Sequence, residues 1–148
     1  MSRKPKSIRH RALDLLARRE HSRLELARKL KQREFTYQEI EPCLDQLQAD
    51  DLLSNERFAN AYARMRSCNG FGPERILREL AERGVDDYLA SQALRNLKAD
   101  WLTNAREVRS KKYGSHPSQD FAERVKQARF LNYRGFSQDI INIMLGEK

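Results

Sequence analysis

The chain has 148 residues, which suits one domain of ordinary size, and with 39% hydrophobic against 34% charged residues it is too apolar to be read as disordered. A net charge of +8 suits polyanions (nucleic acid, an anionic membrane face or an acidic protein) without choosing among them. No stretch approaches the roughly 20 apolar residues of a membrane span, and no apolar run follows the basic MSRKPKSIRHR start as it would in a signal peptide, so the expectation is a soluble, cytoplasmic chain.

Helical periodicity dominates, and no segment of any length alternates apolar and polar residues as a half-buried strand would. After a basic tail over residues 1–7, Ile8, Ala12, Leu15 and Leu16 form the apolar stripe of a first helix. Ser22 and Glu25 have capping-box spacing and open a second helix with Leu26, Ala27 and Leu30. Thr36 and Glu39 repeat that spacing and open a third, carrying Ile40, Leu44 and Leu47. Pro42 falls inside it and either kinks it or marks its first turn.

A second unit, residues 54–98, opens at Ser54 or Asn55, with Phe58, Ala59, Tyr62 and Ala63 on its first apolar face. Residues 69–72 break the helix, and Pro73 fits the first position of the next, whose core residues are Ile76, Leu77 and Leu80. Gly84 sits just past that helix; Asp86 or Asp87 caps the next, with Leu89, Ala93, Leu94 and Leu97. The third unit, residues 99–148, opens near Trp101, with Ala105 and Val108. It then carries a YGSHPS loop, a stripe of Phe121, Val125, Ala128 and Leu131, Gly135, and a final helix capped by Ser137 with Ile140, Ile141, Met144 and Leu145.

The three units share a register. Leu30, Leu80 and Leu131 are spaced 50 and 51 residues apart, as are Phe35, Val85 and Phe136, and Leu44, Leu94 and Leu145. The position before each aromatic or valine is Glu34, Gly84 and Gly135, so Glu34 implies a strained left-handed turn or a different exit. The expected fold is all-α: three tandem three-helix, helix-turn-helix-like repeats of residues 8–53, 54–98 and 99–148, stacked into an elongated rod, straight or curved. A lone bundle of under fifty residues removes little surface from water, so stacking should supply the missing burial. Such a rod offers a long surface and no natural deep pocket, the shape of a binder.

Charge is segregated by helix. Residues 36–51 contain no Lys or Arg but carry Glu39, Glu41, Asp45, Asp50 and Asp51. The last helix of unit three has Asp139 and no base before Lys148, and in unit two Asp86 and Asp87 offset Arg95 and Lys98. A DNA-reading third helix would need the opposite sign, so the likeness to helix-turn-helix proteins is architectural. Basic residues lie on the first two helices of each unit, including Arg57, Arg64, Arg66, Arg75 and Arg78 in unit two and Arg124, Lys126, Arg129 and Arg134 in unit three. These nine are the candidate contacts; a solvated face with internal ion pairs is the alternative, with Glu74, Glu79 and Glu82 among the arginines and Glu56 beside Arg57. Arg3, Lys4, Lys6, Arg9 and Arg11 form either an electrostatic arm or a solubilising end.

No chemistry-bearing constellation stands out. His10, His21 and His116 are scattered, Cys43 and Cys68 lie in helices as buried or idle thiols, and GFGP at residues 70–73 lacks the length and lysine of a P-loop and is better read as a helix-breaking turn. No metal, cofactor or catalytic residue is therefore assigned. Most of the six Phe residues fall on apolar helical faces and are assigned to core.

The run LLSNERFANAYARMRSCNGFGPERILRELAERGV, residues 52–85, resembles the central signature of the RecX family. Glu56, Arg57 and Phe58 precede Tyr62 and Arg64; a Gly-rich turn leads to Arg75, Ile76, Glu79, Leu80, Arg83 and Gly84. The flanking ALDLLARREHSRLELARKL and RFLNYRGFSQDII are similar to the family's outer segments. The resemblance implies a small non-enzymatic regulator of the RecA recombinase, built from three-helix repeats. Such a protein binds the groove of the RecA–single-stranded DNA filament and restrains ATP hydrolysis, strand exchange and co-protease activity, hence DNA repair and the SOS response. The partners it implies are that filament and, weakly, free single- and double-stranded DNA, with the chain acting as a monomer. A general nucleic-acid-binding protein or transcriptional regulator is the alternative, and an enzyme with a site between units a third.

Overall fold

The computed structural model describes residues 6–116 and 118–146. Arg3 and Lys4 of the basic tail, Pro117 of the YGSHPS loop, and Lys148 lie outside them. Among the described residues there are nine helices and no strand, in three consecutive triads. Unit one holds α1 (Ile8–Arg18), α2 (Arg23–Gln32) and α3 (Tyr37–Ala49). Unit two holds α4 (Asn55–Cys68), α5 (Pro73–Glu82) and α6 (Asp87–Leu97). Unit three holds α7 (Trp101–Tyr113), α8 (Phe121–Arg134) and α9 (Gln138–Leu145).

Local sequence sets the helix starts. Ser22 and Thr36 close full capping boxes with Glu25 and Glu39, and Ser54, Asp86 and Ser137 each accept a hydrogen bond from an amide of the first turn. Pro42 is neither a first-turn residue nor a terminator: α3 runs on through it from its Thr36 cap. Pro42 has no N–H to offer the Gln38 carbonyl, and both residues stand on the exposed side of the helix. Among the described helices, α5 alone has no side-chain cap, because its N-cap is Gly72.

The repeat register is real in three dimensions. Leu30, Leu80 and Leu131 are each fully buried, and Val85 and Phe136 nearly so. Glu34, Gly84 and Gly135 all take positive φ, at 72°, 79° and 100°, so the first unit uses the same left-handed exit with a non-glycine residue. That choice costs about 1–2 kcal/mol relative to glycine. The two segments that link the units, which contain no glycine, also turn left-handed, at Asp51 (φ 58°) and Lys98 (φ 51°).

Each triad encloses its own core. One cluster gathers Leu26, Leu30, Ile40, Leu44 and Leu47; a second Phe58, Ala63, Ile76 and Leu80; a third Leu131, Phe136, Ile141 and Met144. Half-buried Trp101 packs against the second and third clusters alike. Apolar side chains also meet the seams at Leu24, which lies against Gly84, and at Val108, which lies against Gly70. Three further residues lie where their chemistry does not predict. Phe121 is 80% exposed rather than part of the α8 stripe, while Gln127 and Arg109 are buried. The inward positions of α8 are Gln127 and Leu131, one turn apart, and the Arg109 guanidinium of α7 reaches Gln127 Oε1 at 3.5 Å.

Candidate functional site

The joint between units two and three is built from main-chain groups. The Gly72 amide donates to the Arg134 carbonyl at 2.7 Å, and the Glu74 amide donates to the Gly135 carbonyl at 3.0 Å. The orphan amides of the start of α5 thus satisfy the orphan carbonyls at the end of α8, which is why α5 dispenses with a side-chain cap. Only glycine fits on both sides. A Cβ on Gly72 would stand 2.5 Å from the Gly135 carbonyl, and one on Gly135 would stand 2.3 Å from the Cβ of Arg75. The GFGP turn is therefore an inter-unit contact surface as well as a helix break.

Beside this joint lies a compact charged cluster. The Glu79 carboxylate accepts from Tyr62 Oη at 2.8 Å, from Arg66 Nε and Nη2 at 2.8 and 2.9 Å, and from Arg75 Nε at 2.9 Å. Burial alone would raise its pKa, but the hydrogen bonds from the two guanidinium groups and the phenol outweigh it and hold the carboxyl down at about 2. The same burial, together with the carboxylate, pushes the Tyr62 phenol up to about 12. The Phe71 ring is surrounded by the guanidinium carbons of Arg66, Arg75 and Arg134 at 3.7, 4.5 and 4.7 Å. Arg75 also stacks on Tyr133 at 4.8 Å and donates to the Tyr133 carbonyl at 3.1 Å.

Units one and two meet through charged side chains instead. Arg57 pairs with Glu20 at 3.0 Å and with Asp51 at 2.8 Å, rather than with its neighbour Glu56. The Arg23 amide donates to Asn55 Oδ1 at 2.8 Å, and Leu24 packs where a Cβ on Gly84 would fall, 2.8 Å away. Nearby, buried His21 is a structural residue: its Nδ1–H donates to the Arg19 carbonyl at 3.0 Å and its Nε2 accepts from Lys29 at 2.8 Å. Burial depresses the pKa of this imidazole.

The nine candidate contacts thus divide. Arg57, Arg66 and Arg75 are tied to carboxylates, Arg124 donates to the Leu145 carbonyl, and Arg134 donates to the Asn69 carbonyl at 3.2 Å. Arg64, Arg78, Lys126 and Arg129 are exposed, and none pairs with another described residue. Arg75 and Arg78 share a helix face in sequence, yet Arg75 turns into the joint and only Arg78 stands in solvent. Lys126, Arg129 and the 71%-exposed Tyr133 follow one another along the outer side of α8. The third helices remain acidic: Glu39, Glu41 and Asp45 are exposed on α3, and Asp139 on α9. Arg109 shows what charge segregation by helix misses, since it lies on the first helix of its unit but points inward. No described cluster of His, Cys, Asp and Glu has the makings of a metal site, and no described helix is long and apolar enough to cross a membrane.

The comparisons with known proteins converge on this architecture. Models of the first, second and third three-helix domains of RecX match residues 9–47, 54–94 and 99–145. The chain is 45% identical over 141 residues to the Regulatory protein RecX of Pseudomonas entomophila (strain L48), covering 95% of this chain and 91% of that protein. It is equally similar to the Regulatory protein RecX of Pseudomonas putida (strain GB-1), covering 95% and 90%. The crystal structure of RecX from Lactobacillus salivarius superimposes with a TM-score of 0.77 at 26% identity, over 94% of this chain and 92% of that one. With matching repeats, matching fold and this degree of identity, the chain belongs to the RecX family of regulatory proteins.

Proposed function

We propose that this chain is a non-enzymatic regulator of a RecA recombinase, lying along the RecA–single-stranded DNA filament in the cytoplasm as a monomer. It restrains ATP hydrolysis, strand exchange and co-protease activity, and so DNA repair and the SOS response. Arg64, Arg78, Lys126 and Arg129 supply its outward-facing contacts; Arg57, Arg66, Arg75, Arg124 and Arg134 hold the units in the pose that presents them.

One observation carries this reading. Arg64, Arg78, Lys126 and Arg129 stand on the first two helices of units two and three, while the third helices α3 and α9, which a sequence-reading protein would place in the major groove, expose carboxylates and α6 sets Asp87 against Arg95. Such a surface suits a partner that is polyanionic and repetitive rather than one base sequence.

The test is DNA-dependent ATP hydrolysis by the cognate RecA, with wild type and with the triple variant Arg78→Glu, Lys126→Glu, Arg129→Glu. Wild type should suppress hydrolysis at concentrations that leave free DNA largely unbound, and the variant should lose at least tenfold in potency with unchanged helical circular dichroism. Equal potency of the variant would remove this face from the mechanism. Suppression that begins only once free DNA is coated would replace filament regulation by simple competition.

A further inference from the structure

The two joints within the chain obey one rule. Ten residues before the left-handed exits Glu34, Gly84 and Gly135 stand Leu24, Glu74 and Val125, each on the second helix of its unit. Leu24 of unit one packs against Gly84 of unit two, and the Glu74 amide of unit two bonds to the Gly135 carbonyl of unit three. The second helix of each unit thus takes the exit of the next. Unit three presents the same face, and among the described residues nothing covers it. Two adjoining cavities of about 430 and about 350 Å³ share Val125 and Ala128 there and make one groove between α8 and α9. Phe121, one helical turn before Val125, stands exposed at its end. Arg124 and Arg129 line this groove, and no described carboxylate does. An exposed apolar stripe with a charged rim marks an interaction surface.

The matching exit of unit one is open as well. Glu34 is exposed, and so is Tyr37 at the start of α3. Glu34 holds a left-handed backbone where the two internal exits use glycine, and a strained residue kept at a surface turn points to a use for its side chain. Beside it α3 exposes Glu39 and Glu41 and carries no base. Lys31 lies over the Tyr37 ring at 4.6 Å, which leaves Arg33 as the opposing charge at this end.

We infer that these two ends meet: the α8–α9 groove of one chain takes the α2 exit of a second copy, so that copies stack head to tail in the sense in which units stack within the chain. Phe121 and Val125 cover the Tyr37 ring, and the Glu34 carboxylate faces Arg129. The Cβ of Glu34 forbids the close main-chain approach that glycine allows at the internal joints, and Arg33 opposes the match. The contact is therefore looser than either internal joint: a dilute chain is a monomer, and copies join only where they are concentrated. The two surfaces differ, so the contact is heterologous and each added copy leaves another open end, giving rows instead of closed dimers. An ion pair at an exposed seam also makes the contact salt-sensitive. A symmetric dimer through Phe121 alone is the competing arrangement. The inference concerns the chain by itself and does not depend on the filament reading.

The test uses two full-length proteins, both with Cys43→Ser and Cys68→Ser. One carries Gln38→Cys beside the exit, the other Gln119→Cys at the groove, both at exposed positions. A short bis-maleimide is added at rising protein concentration and low salt. The mixture should give about fivefold more cross-linked product than either protein alone, because a head-to-tail contact pairs unlike surfaces. Glu34→Arg on the first protein should cut that yield about fivefold with unchanged circular dichroism, and Arg129→Glu on the second should restore it, as a reversed ion pair requires. Sedimentation of wild type should show a mean mass that passes the dimer without a plateau as concentration rises, and that returns to the monomer in high salt. Equal cross-linking within one single-cysteine protein would mean a symmetric dimer and overturn the inference. So would a mixture that stays uncross-linked at the highest soluble concentration, or a yield indifferent to salt. Stronger cross-linking after Glu34→Gly would show that Glu34 stops the row instead of joining it, and would overturn it too.

Discussion

Glu79 is the most exposed point of the architecture to a single chemical change. Glu79→Gln keeps the shape and an acceptor for Tyr62 but removes the charge that Arg66 and Arg75 share, leaving two guanidinium groups, each with 18% of its side chain exposed, against a neutral amide. A pKa held at about 2 instead of the ordinary 4.5 corresponds to about 3 kcal/mol of stabilisation at neutral pH, at roughly 1.36 kcal/mol per decade. Solvent at the edge of the cluster screens part of this, so the expected loss is about 2 kcal/mol, or about 4–8 °C in Tm for a chain of this length. The sign with pH is fixed. A depressed carboxyl stabilises the fold above the unfolded value of 4.5, and the benefit disappears as pH falls from there toward 2. Urea unfolding of wild type and variant at pH 7 and pH 3, followed by far-UV circular dichroism, should show the difference between them shrinking by more than half at pH 3. A difference that is the same at both pH values would refute the cluster's electrostatic role.

Gly72→Ala keeps an allowed backbone but drives a Cβ to within 2.5 Å of the Gly135 carbonyl, so the joint must open. Losing its two main-chain hydrogen bonds and the Arg75 contact to Tyr133 should cost about 2–4 kcal/mol and speed proteolysis near the joint; unchanged proteolysis and stability would show that the contact is dispensable. Replacing Arg109 and Gln127 together by Met and Leu should raise stability by about 1 kcal/mol, because Arg109 Nε is buried without a partner among the described residues; a thermal shift downward would contradict that. His21 is buried neutral with a depressed pKa, so its contribution is full above about 6.5 and is lost as pH falls below that value toward its folded pKa. His21→Gln should therefore flatten stability between pH 7 and pH 5, and an equally steep profile would mean that another group titrates.

The parts of this molecule that depend on neighbours in sequence were legible in the sequence. The capping boxes at Ser22 and Thr36, the Pro73 start of α5 and the left-handed position of Gly84 and Gly135 follow from short-range spacing and backbone sterics; at Glu34 the sequence left a left-handed turn and a different exit both open. The Glu79 cluster was half visible, as a carboxylate among arginines at helical spacing. Its meaning was not, because Tyr62, Arg66 and Phe71 reach it only after α4 and α5 pack. Long-range features left no trace. Nothing at Gly72 announces Gly135, 63 residues away, since the bonds at their contact, Gly72 to Arg134 and Glu74 to Gly135, use main-chain atoms common to every residue. Arg109 and Phe121 were misplaced for one reason: side-chain chemistry predicts a preference for water or core, and the rotation of α7 and α8 within a small bundle overrules it. The rotation of α4, α5 and α8 likewise decides which of the nine basic residues remain free.

The two joints also differ in how they should respond to their surroundings. The main-chain hydrogen bonds from Gly72 to Arg134 and from Glu74 to Gly135 are indifferent to ionic strength, so units two and three should stay joined in buffers of any salt content. The joint to unit one leans on Arg57, whose partner Asp51 is 86% exposed, and added salt weakens such a pair. The molecule is then a stiff two-thirds carrying a compliant arm. Ionic strength thereby becomes a control on how far that arm swings.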